Sequence, residues 1–331
     1  MRTAPRHRCP VRSAVRYYDG ARASRAPQKT ALTVKLTIAI PTHNRAALVR
    51  DTLASVSALA IPPGVEAHCL VVDNASTDDT AAVVDDFARG AALPMRRVLE
   101  PRPGSSFARN RAVEEAASDY IFFIDDDAVA ERDWATELLD DMRQRDLDAA
   151  CGMVLPRWSS PPPKWLGPSL WVKLAVHDRR AIESAPVVSA ERLDNYFSAN
   201  VGFKRSAFEQ FGKFREDLGV VGGNPISGED TELFARILAR GGTMGFAPRA
   251  IVNHMIPSER MTRAYLRRKS FAFGMGTAFA GLQNHNRLDK LVRNGVRMAA
   301  AAMRGDPERA IYHELECANF LGYWRGRLIA R

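Results

Sequence analysis

Tyr120-Ile121-Phe122-Phe123-Ile124-Asp125-Asp126-Asp127 is the stretch that decides the fold. A short apolar run of this kind reads as a buried strand of a parallel sheet, and in open α/β sheets ligands sit beyond the carboxyl ends of such strands. The three carboxylates are therefore expected to face a cleft. Strand alternation puts Asp125 and Asp127 on one side and Asp126 on the other. Like charges this close raise one another's pKa unless a cation neutralises them, and oxygen ligands suit Mg²⁺ or Mn²⁺. The competing reading is a solvated acidic turn; turns rarely join an apolar run to three like charges.

Working outward, strand and helix patterns alternate. Leu36 to Pro41 reads as a strand, Ala46 to Ala60 as a helix, Ala67 to Asp73 as a strand and Asp78 to Arg89 as a helix. Met95 to Leu99 and the helix from Ser105 to Ala117 lead into the Asp-terminated strand, followed by a helix from Asp133 to Arg145 and a strand from Asp148 to Leu155. This βαβα order predicts an α/β fold with a mostly parallel sheet and helices on both faces. Pro156 to Pro186, with Pro161-Pro162-Pro163 and Trp158, Trp165 and Trp171, predicts a long loop. Loops of that length serve as lids or binding loops, and Trp offers a platform for a sugar; the alternative is that these rings cover the core. Strand-like Tyr196 to Phe203, a helix from Arg205, a Gly-rich turn at Gly219 to Gly228, a helix from Glu229 to Arg240 and strand-like Gly245 to His254 follow. Beyond Ser258 the pattern is helical. The expected organisation is an unstructured basic tail (1–33), a catalytic domain (34–257) and a basic helical region (258–331).

The 331 residues, 46% apolar and 26% charged, are ordinary for a globular protein. The net charge of +9 is unevenly spread: residues 1–35 carry nine Lys/Arg and one Asp, residues 260–331 fourteen Lys/Arg and five acids, and the stretch between them 24 basic against 32 acidic residues. A nucleic-acid binder would place its basic patch on the folded module, so no nucleic acid is expected; basic ends suit an anionic membrane surface better. Cys9, Cys69, Cys151 and Cys317 have no CxxC or metal-site spacing, consistent with a reducing cytoplasm. The first 30 residues lack the apolar core of a secretory signal, and Phe271 to Leu282 is too short and Gly-interrupted to span a bilayer.

Polar groups close four strands: Pro41-Thr42-His43-Asn44-Arg45, Asp73-Asn74-Ala75-Ser76-Thr77, Asp125-Asp126-Asp127 and His254. With Gly104-Ser105-Ser106-Phe107-Ala108-Arg109-Asn110 and Gly228-Glu229-Asp230, this series resembles the family 2 glycosyltransferases, over roughly Leu36 to Pro257. The resemblance implies a GT-A-like three-layer α/β/α fold with a C-terminal helical extension. It also implies a non-processive, inverting transferase that uses a nucleotide-diphosphate sugar donor and a saccharide or lipid-linked acceptor. Pro41, Thr42, Asn44, Asp73 and Arg109 would bind the nucleotide, with Asp125 and Asp126 near ribose or sugar. Asp127, with Asp125 and His254, would bind the metal that bridges the diphosphate. Asp230, flanked by Glu229, is the expected base, and Trp165 and Asn200 are assigned to the acceptor or lid side. Two departures remove no needed group: His43 stands where Tyr is commoner, and Asn-Ala-Ser replaces the frequent Asn-Gly-Ser. The absence of a Gln-x-x-Arg-Trp element points to single-sugar addition. Arg263, Arg267, Arg268 and Lys269, beside the apolar 271–282 run, suggest a peripheral seat on the inner face of a membrane, the alternative being a helical cap.

Two other classes fit part of the pattern. Ile124 to Val129 matches the Asp-x-Asp-x-Val loop of haloacid dehalogenase-type phosphatases, with Asp125 as nucleophile, although that loop normally ends the first strand. A non-catalytic nucleotide-sugar binding protein would keep the cleft without the chemistry.

Overall fold

The computed structural model describes residues 33–178, 196, 198–219, 227–282 and 288–329. The expected unstructured tail, apart from residue 33, lies outside the described residues. In chain order the elements are β1 (Val34–Thr42), α1 (Val49–Ser57), β2 (Val65–Asp73), α2 (Thr80–Ala88), β3 (Met95–Leu99), α3 (Ser105–Glu115), β4 (Tyr120–Ile124), β5 (Ala128–Ala130), α4 (Trp134–Gln144) and β6 (Ala149–Trp158). There follow α5 (Pro168–Trp171), β7 (Asn200–Lys204), α6 (Arg205–Phe211), α7 (Glu229–Ala239), β8 (Met244–Ile256), α8 (Arg263–Phe279), α9 (Leu288–Met303) and α10 (Pro307–Ile329).

The strands form one sheet in the order β3-β2-β1-β4-β7-β6-β8-β5. β1 pairs in parallel with β2 and β4, β2 with β3, and β6 with β8, whereas β7 runs antiparallel between β4 and β6 and β5 antiparallel beside β8. Period-two alternation on the central strands builds a core on each face. Ile38, Ile40, Phe122 and Ile124 meet α1 through Val49 and Leu53 and α4 through Trp134 and Leu138. Ala39, Ile121 and Phe123 meet α3 through Ala108 and Ala112 and α7 through Phe234 and Ile237. Both faces are covered, which is why these strands read as continuous apolar runs.

The Pro156–Pro186 segment departs from the expected loop. β6 continues to Trp158, and α5 and a following 3-10 turn (Val172–Leu174) occupy much of the remainder, while residues 179–186 lie outside the described residues. Trp158, Trp165 and Trp171 pack against Leu166, Leu170, Ile256, Leu266, Ile311 and Leu315, so they cover a third core joining this segment to the C-terminal helices.

α8 and α10 lie in close contact. A Cβ placed on Gly274 would stand 2.0 Å from the Asn319 carbonyl oxygen, and one on Gly322 would stand 1.9 Å from that of Phe271. Gly274 and the Phe271 backbone in the apolar run are therefore set against α10, and Arg263 and Arg267 both pair with Glu314 of α10. Among the described residues no helix is long and apolar enough to cross a membrane.

Candidate active site

Sheet register gathers the polar strand ends. Thr42 lies opposite Asp73, and Asp73 opposite Leu99. Ala39 pairs with Phe123 and Ile124 with Asn200, so the Asp run leaves β4 between the ends of β1 and β7.

On the β1 and β2 side, two loops are stapled together. The Asn44 amide donates to Ser76 Oγ at 3.0 Å, and Asn44 Oδ1 accepts from the Thr77 amide at 2.8 Å. Asn44 adopts φ 53°, a left-handed conformation that Asn tolerates better than most residues. Asp73, 2% exposed, accepts from the Ser76 amide at 3.0 Å and stands 3.5 Å from Arg97. Asn74 binds the carbonyls of Glu100 and Arg102 and accepts from the Gly104 amide at 2.7 Å, which fixes the start of α3 against β2.

The three aspartates have different partners. Asp125, on the cavity side, faces Arg109 at 3.5 Å. Asp126 lies 3.6 Å from Arg45; burial, and then the Asp127 charge, push its carboxyl up to about 7. Asp127 takes His254 Nε2 at 3.2 Å and Arg260 at 3.2 Å. Burial alone would raise Asp127, but the His254 hydrogen bond and charge, with Arg260, hold it at about 2. His254 comes to this place because Ala128 of β5 pairs with it, returning the chain after the Asp run alongside β8.

Arg109 is the hub of the polar cluster on the cavity side. It is buried on α3, donates to Glu229 Oε1 at 2.6 Å and reaches Asp125 with its other terminal nitrogen. Glu229 also accepts from Ser105 Oγ at 3.0 Å and from the Gly228 amide at 3.1 Å. Burial would raise the Glu229 carboxyl, and the Arg109 charge overrides it and holds the group below its ordinary value. Gly228, at φ 116°, makes the turn into α7 that a side-chain-bearing residue rarely adopts. The next residue, Asp230, accepts from the Ser198 amide and hydroxyl, both at 3.2 Å. Burial and the neighbouring Glu229 charge push Asp230 up, against the pull of Arg109.

A cavity of about 1320 Å³ opens onto Arg109, Asp125, Ser198, Glu229 and Asp230 and extends to α8, α9 and α10. Pro41, Thr42, Asp73, Asp126, Asp127 and His254 lie outside its lining, on the strand-end side of Asp125. Two expected residues are placed elsewhere. Trp165 packs on the third core, and Asn200, fully buried, spends its amide on Trp134 Nε1 at 2.7 Å and on the carbonyls of Met153 and Ala250, each at 2.8 Å. Asn200 therefore ties β7 to β6 and β8 and has no free group to offer an acceptor. Nor do Asp125, Asp127 and His254 converge as a set: among the described residues no three acidic, imidazole or thiol groups could hold a metal ion. Sequence reasoning missed Ser198, Ser105 and Arg260. Arg260 sits in a 3-10 turn (Ser258–Arg260) whose position only the path of β8 fixes.

Comparison with known proteins identifies the family and the fold. The family description "Glycosyl transferase family 2" matches residues 37–212. Succinoglycan biosynthesis protein ExoM of Rhizobium meliloti (strain 1021) is 27% identical over 81% of this chain and 79% of its own length. Glucosyl-dolichyl phosphate glucuronosyltransferase of Haloferax volcanii is 26% identical over 67% of this chain and 68% of its own. Among solved structures, the mannosyltransferase PcManGT from Pyrobaculum calidifontis, in complex with GDP-Man and Mn²⁺, superposes with a TM-score of 0.54 at 20% identity, covering 89% of this chain and 74% of that one. S. aureus TarS 1-349 gives a TM-score of 0.52 at 16% identity, covering 89% and 90%. At those identities the likeness to the solved structures is one of fold.

Proposed function

Because the chain belongs to the family 2 glycosyltransferases and has their GT-A fold, it is a glycosyltransferase, and we propose that it moves a single sugar from a nucleotide-diphosphate sugar to an acceptor hydroxyl with inversion. The observation that carries this reading is the row Asp125, Arg109, Glu229, Asp230, which places a carboxylate with raised proton affinity at the wall of a cavity, one buried cation away from the Asp run. A base working near neutral pH benefits from that raised affinity. Asp230 takes the proton from the acceptor hydroxyl as its oxygen attacks the anomeric carbon, and the bond from that carbon to the diphosphate breaks on the opposite face. Ser198 and the Gly228 turn aim the Asp230 carboxylate, while Arg109 keeps Glu229 ionised beside it and offsets part of the burial that pushes the Asp125 carboxyl up.

The donor is assigned to the strand-end side: Asp73, Thr42, Pro41 and the Asn44 loop for the nucleotide, and Asp125 and Asp126 for ribose or sugar. The donor set there fits Mg²⁺ or Mn²⁺ as an ion completed by substrate, since such ions are bound by one or two carboxylates plus substrate phosphates rather than by full protein cages. Asp127, whose carboxyl is held at about 2, and His254 Nε2, 3.2 Å from it, are the groups that would hold it, at the place Arg260 shares with them. When bound, the ion would neutralise charge on the departing diphosphate. Relatives named for succinoglycan biosynthesis and as a glucosyl-dolichyl phosphate glucuronosyltransferase support a saccharide or lipid-linked acceptor in glycoconjugate assembly. The phosphatase alternative loses its support, because family 2 membership accounts for the Asp run.

Asp230→Asn should abolish sugar transfer while a nucleotide-sugar thermal shift in Mn²⁺ persists. Turnover near wild type in that variant refutes the base assignment, and a shift that never requires metal refutes the metal assignment.

A further inference from the structure

The cavity does not end at Asp230. Its far wall is cationic, formed by Lys269 of α8 and by Lys290, Arg293 and Arg297 of α9, with His313 and Glu316 of α10. Glu316 is spent on Lys173 at 3.1 Å and Lys290 at 3.5 Å, and Arg293 pairs with Asp289 at 3.2 Å. Among the described residues Lys269 and Arg297 have no carboxylate partner. A cavity running from a general base to unpaired cations suits a ligand that carries a hydroxyl at one end and an anion at the other.

α9 shows an inverted arrangement. Lys290, Arg293, Asn294 and Arg297 follow the three- and four-residue steps of one helical face and line the cavity. The opposite face carries Leu288, Val292, Val296 and Met303, 68%, 60%, 64% and 83% exposed. An ordinary surface helix buries its apolar stripe and exposes its charges. α10 adds exposed Leu321, Trp324 and Leu328, also at helical spacing. Arg304, Arg325 and Arg327, all exposed, belong to the same two-helix region, so the partner that complements it is apolar within and anionic at its surface.

We propose that this far end is an acceptor subsite for the phosphate of a lipid-carried saccharide, with the outer face of α9 seating the mouth of the cavity on an anionic bilayer. The proposal rests on the glycosyl-transfer reading for the acceptor hydroxyl, but its test does not use transfer. Inorganic diphosphate is titrated into the full chain without divalent cation, by calorimetry. Binding should weaken about tenfold or more in Lys269→Gln/Arg297→Gln, as loss of hydrogen bonds to a charged group implies. It should recover in Lys269→Arg/Arg297→Lys and persist in Asp127→Asn. Binding lost in Asp127→Asn yet unchanged in the Lys269/Arg297 pair would put the diphosphate on the donor side and overturn the subsite. Co-flotation with phosphatidylglycerol-containing vesicles separates the two sources of phosphate. Wild type should float and Val292→Ser/Val296→Ser should not, with diphosphate binding unchanged. A wild-type chain that binds diphosphate but never floats takes its phosphate from a soluble acceptor, and the lipid assignment fails. Failure of Asp230→Asn to stop transfer would leave both binding results standing, so the two readings fail separately.

Discussion

Arg109→Met is the most informative perturbation, because the Arg109–Glu229 pair can be removed in two halves or whole. The pair is 2.6 Å long and its side chains are 7% and 8% exposed, so solvent screens it little. Removing the cation alone leaves Glu229 and Asp125 without their partner beside Asp230. Breaking one half of a buried pair costs about 3–5 kcal/mol, whereas replacing both halves with apolar groups is often close to neutral. Arg109→Met should therefore lose about 3–5 kcal/mol, and Arg109→Met/Glu229→Leu should recover most of it. In a chain of this size the single variant corresponds to a melting shift of roughly 6–10 °C. Urea denaturation of wild type, both single variants and the double variant at pH 7 measures the coupling. The penalty is also pH-dependent. Glu229 has a depressed proton affinity in the fold, so its contribution is complete above its unfolded pKa of about 4.3 and is lost as pH falls through the lower folded value. A cost for Arg109→Met below about 1 kcal/mol, or a double variant no more stable than the single, would refute the view that Arg109 organises these acids.

Three further outcomes can be measured directly. Because burial and Glu229 raise Asp230, the acid limb of kcat/KM should fall above the ordinary aspartate value of about 3.9, and Glu229→Gln should move it to lower pH by removing a like charge; an unmoved limb assigns the titration to another group. Gly276→Ala would put its Cβ 1.6 Å from the Ser227 carbonyl oxygen, displacing the turn that carries Asp230, and initial rates should drop about 100-fold, as misplacement near 1 Å implies; full activity would mean that α8 gives the turn no support. Ala75 holds φ 55°, so Ala75→Gly should raise the urea-unfolding free energy by up to about 1 kcal/mol, and a loss instead would show that unfolded-state entropy dominates at this turn.

The sheet was legible because both its faces are covered. β3 matches its expected span, β1 and β2 extend beyond theirs by one to two residues, and α1 and α2 are shorter than expected. Continuous apolar strands with helix patterns between them leave little choice of topology. β5 was missed: three residues, Ala128–Ala130, carry too little pattern to read, and only its pairing with β8 makes it a strand. The direction of β7 was equally hidden, since hydrophobicity does not record whether neighbours run parallel. Trp165 and Asn200 were misplaced for a common reason. Trp and Asn read as contact residues when nothing reveals their surroundings, and here tertiary contacts consume them, in the third core and in the amide bridge across β6, β7 and β8. Arg109 was legible as a cation near the site, but its pairing with Glu229, 120 positions away, was not.

The C-terminal helices bear on the chemistry through backbone contact. α8 can back the Ser227–Gly228 turn only because Gly276 has no side chain, and it can sit there only because Gly274 and Gly322 let α8 and α10 approach. Gly276 therefore has two consequences: α7 starts where Asp230 meets Ser198, and Lys269, two helical turns back along α8, lines the same cavity as the base. A helix placed merely to cover the domain would need apolar side chains at that contact, and glycine in a helix interior costs about 1 kcal/mol relative to alanine. Accepting that cost at three positions in two packed helices is explained by the position it enforces, in which the base-bearing turn and the cationic wall face a single cavity.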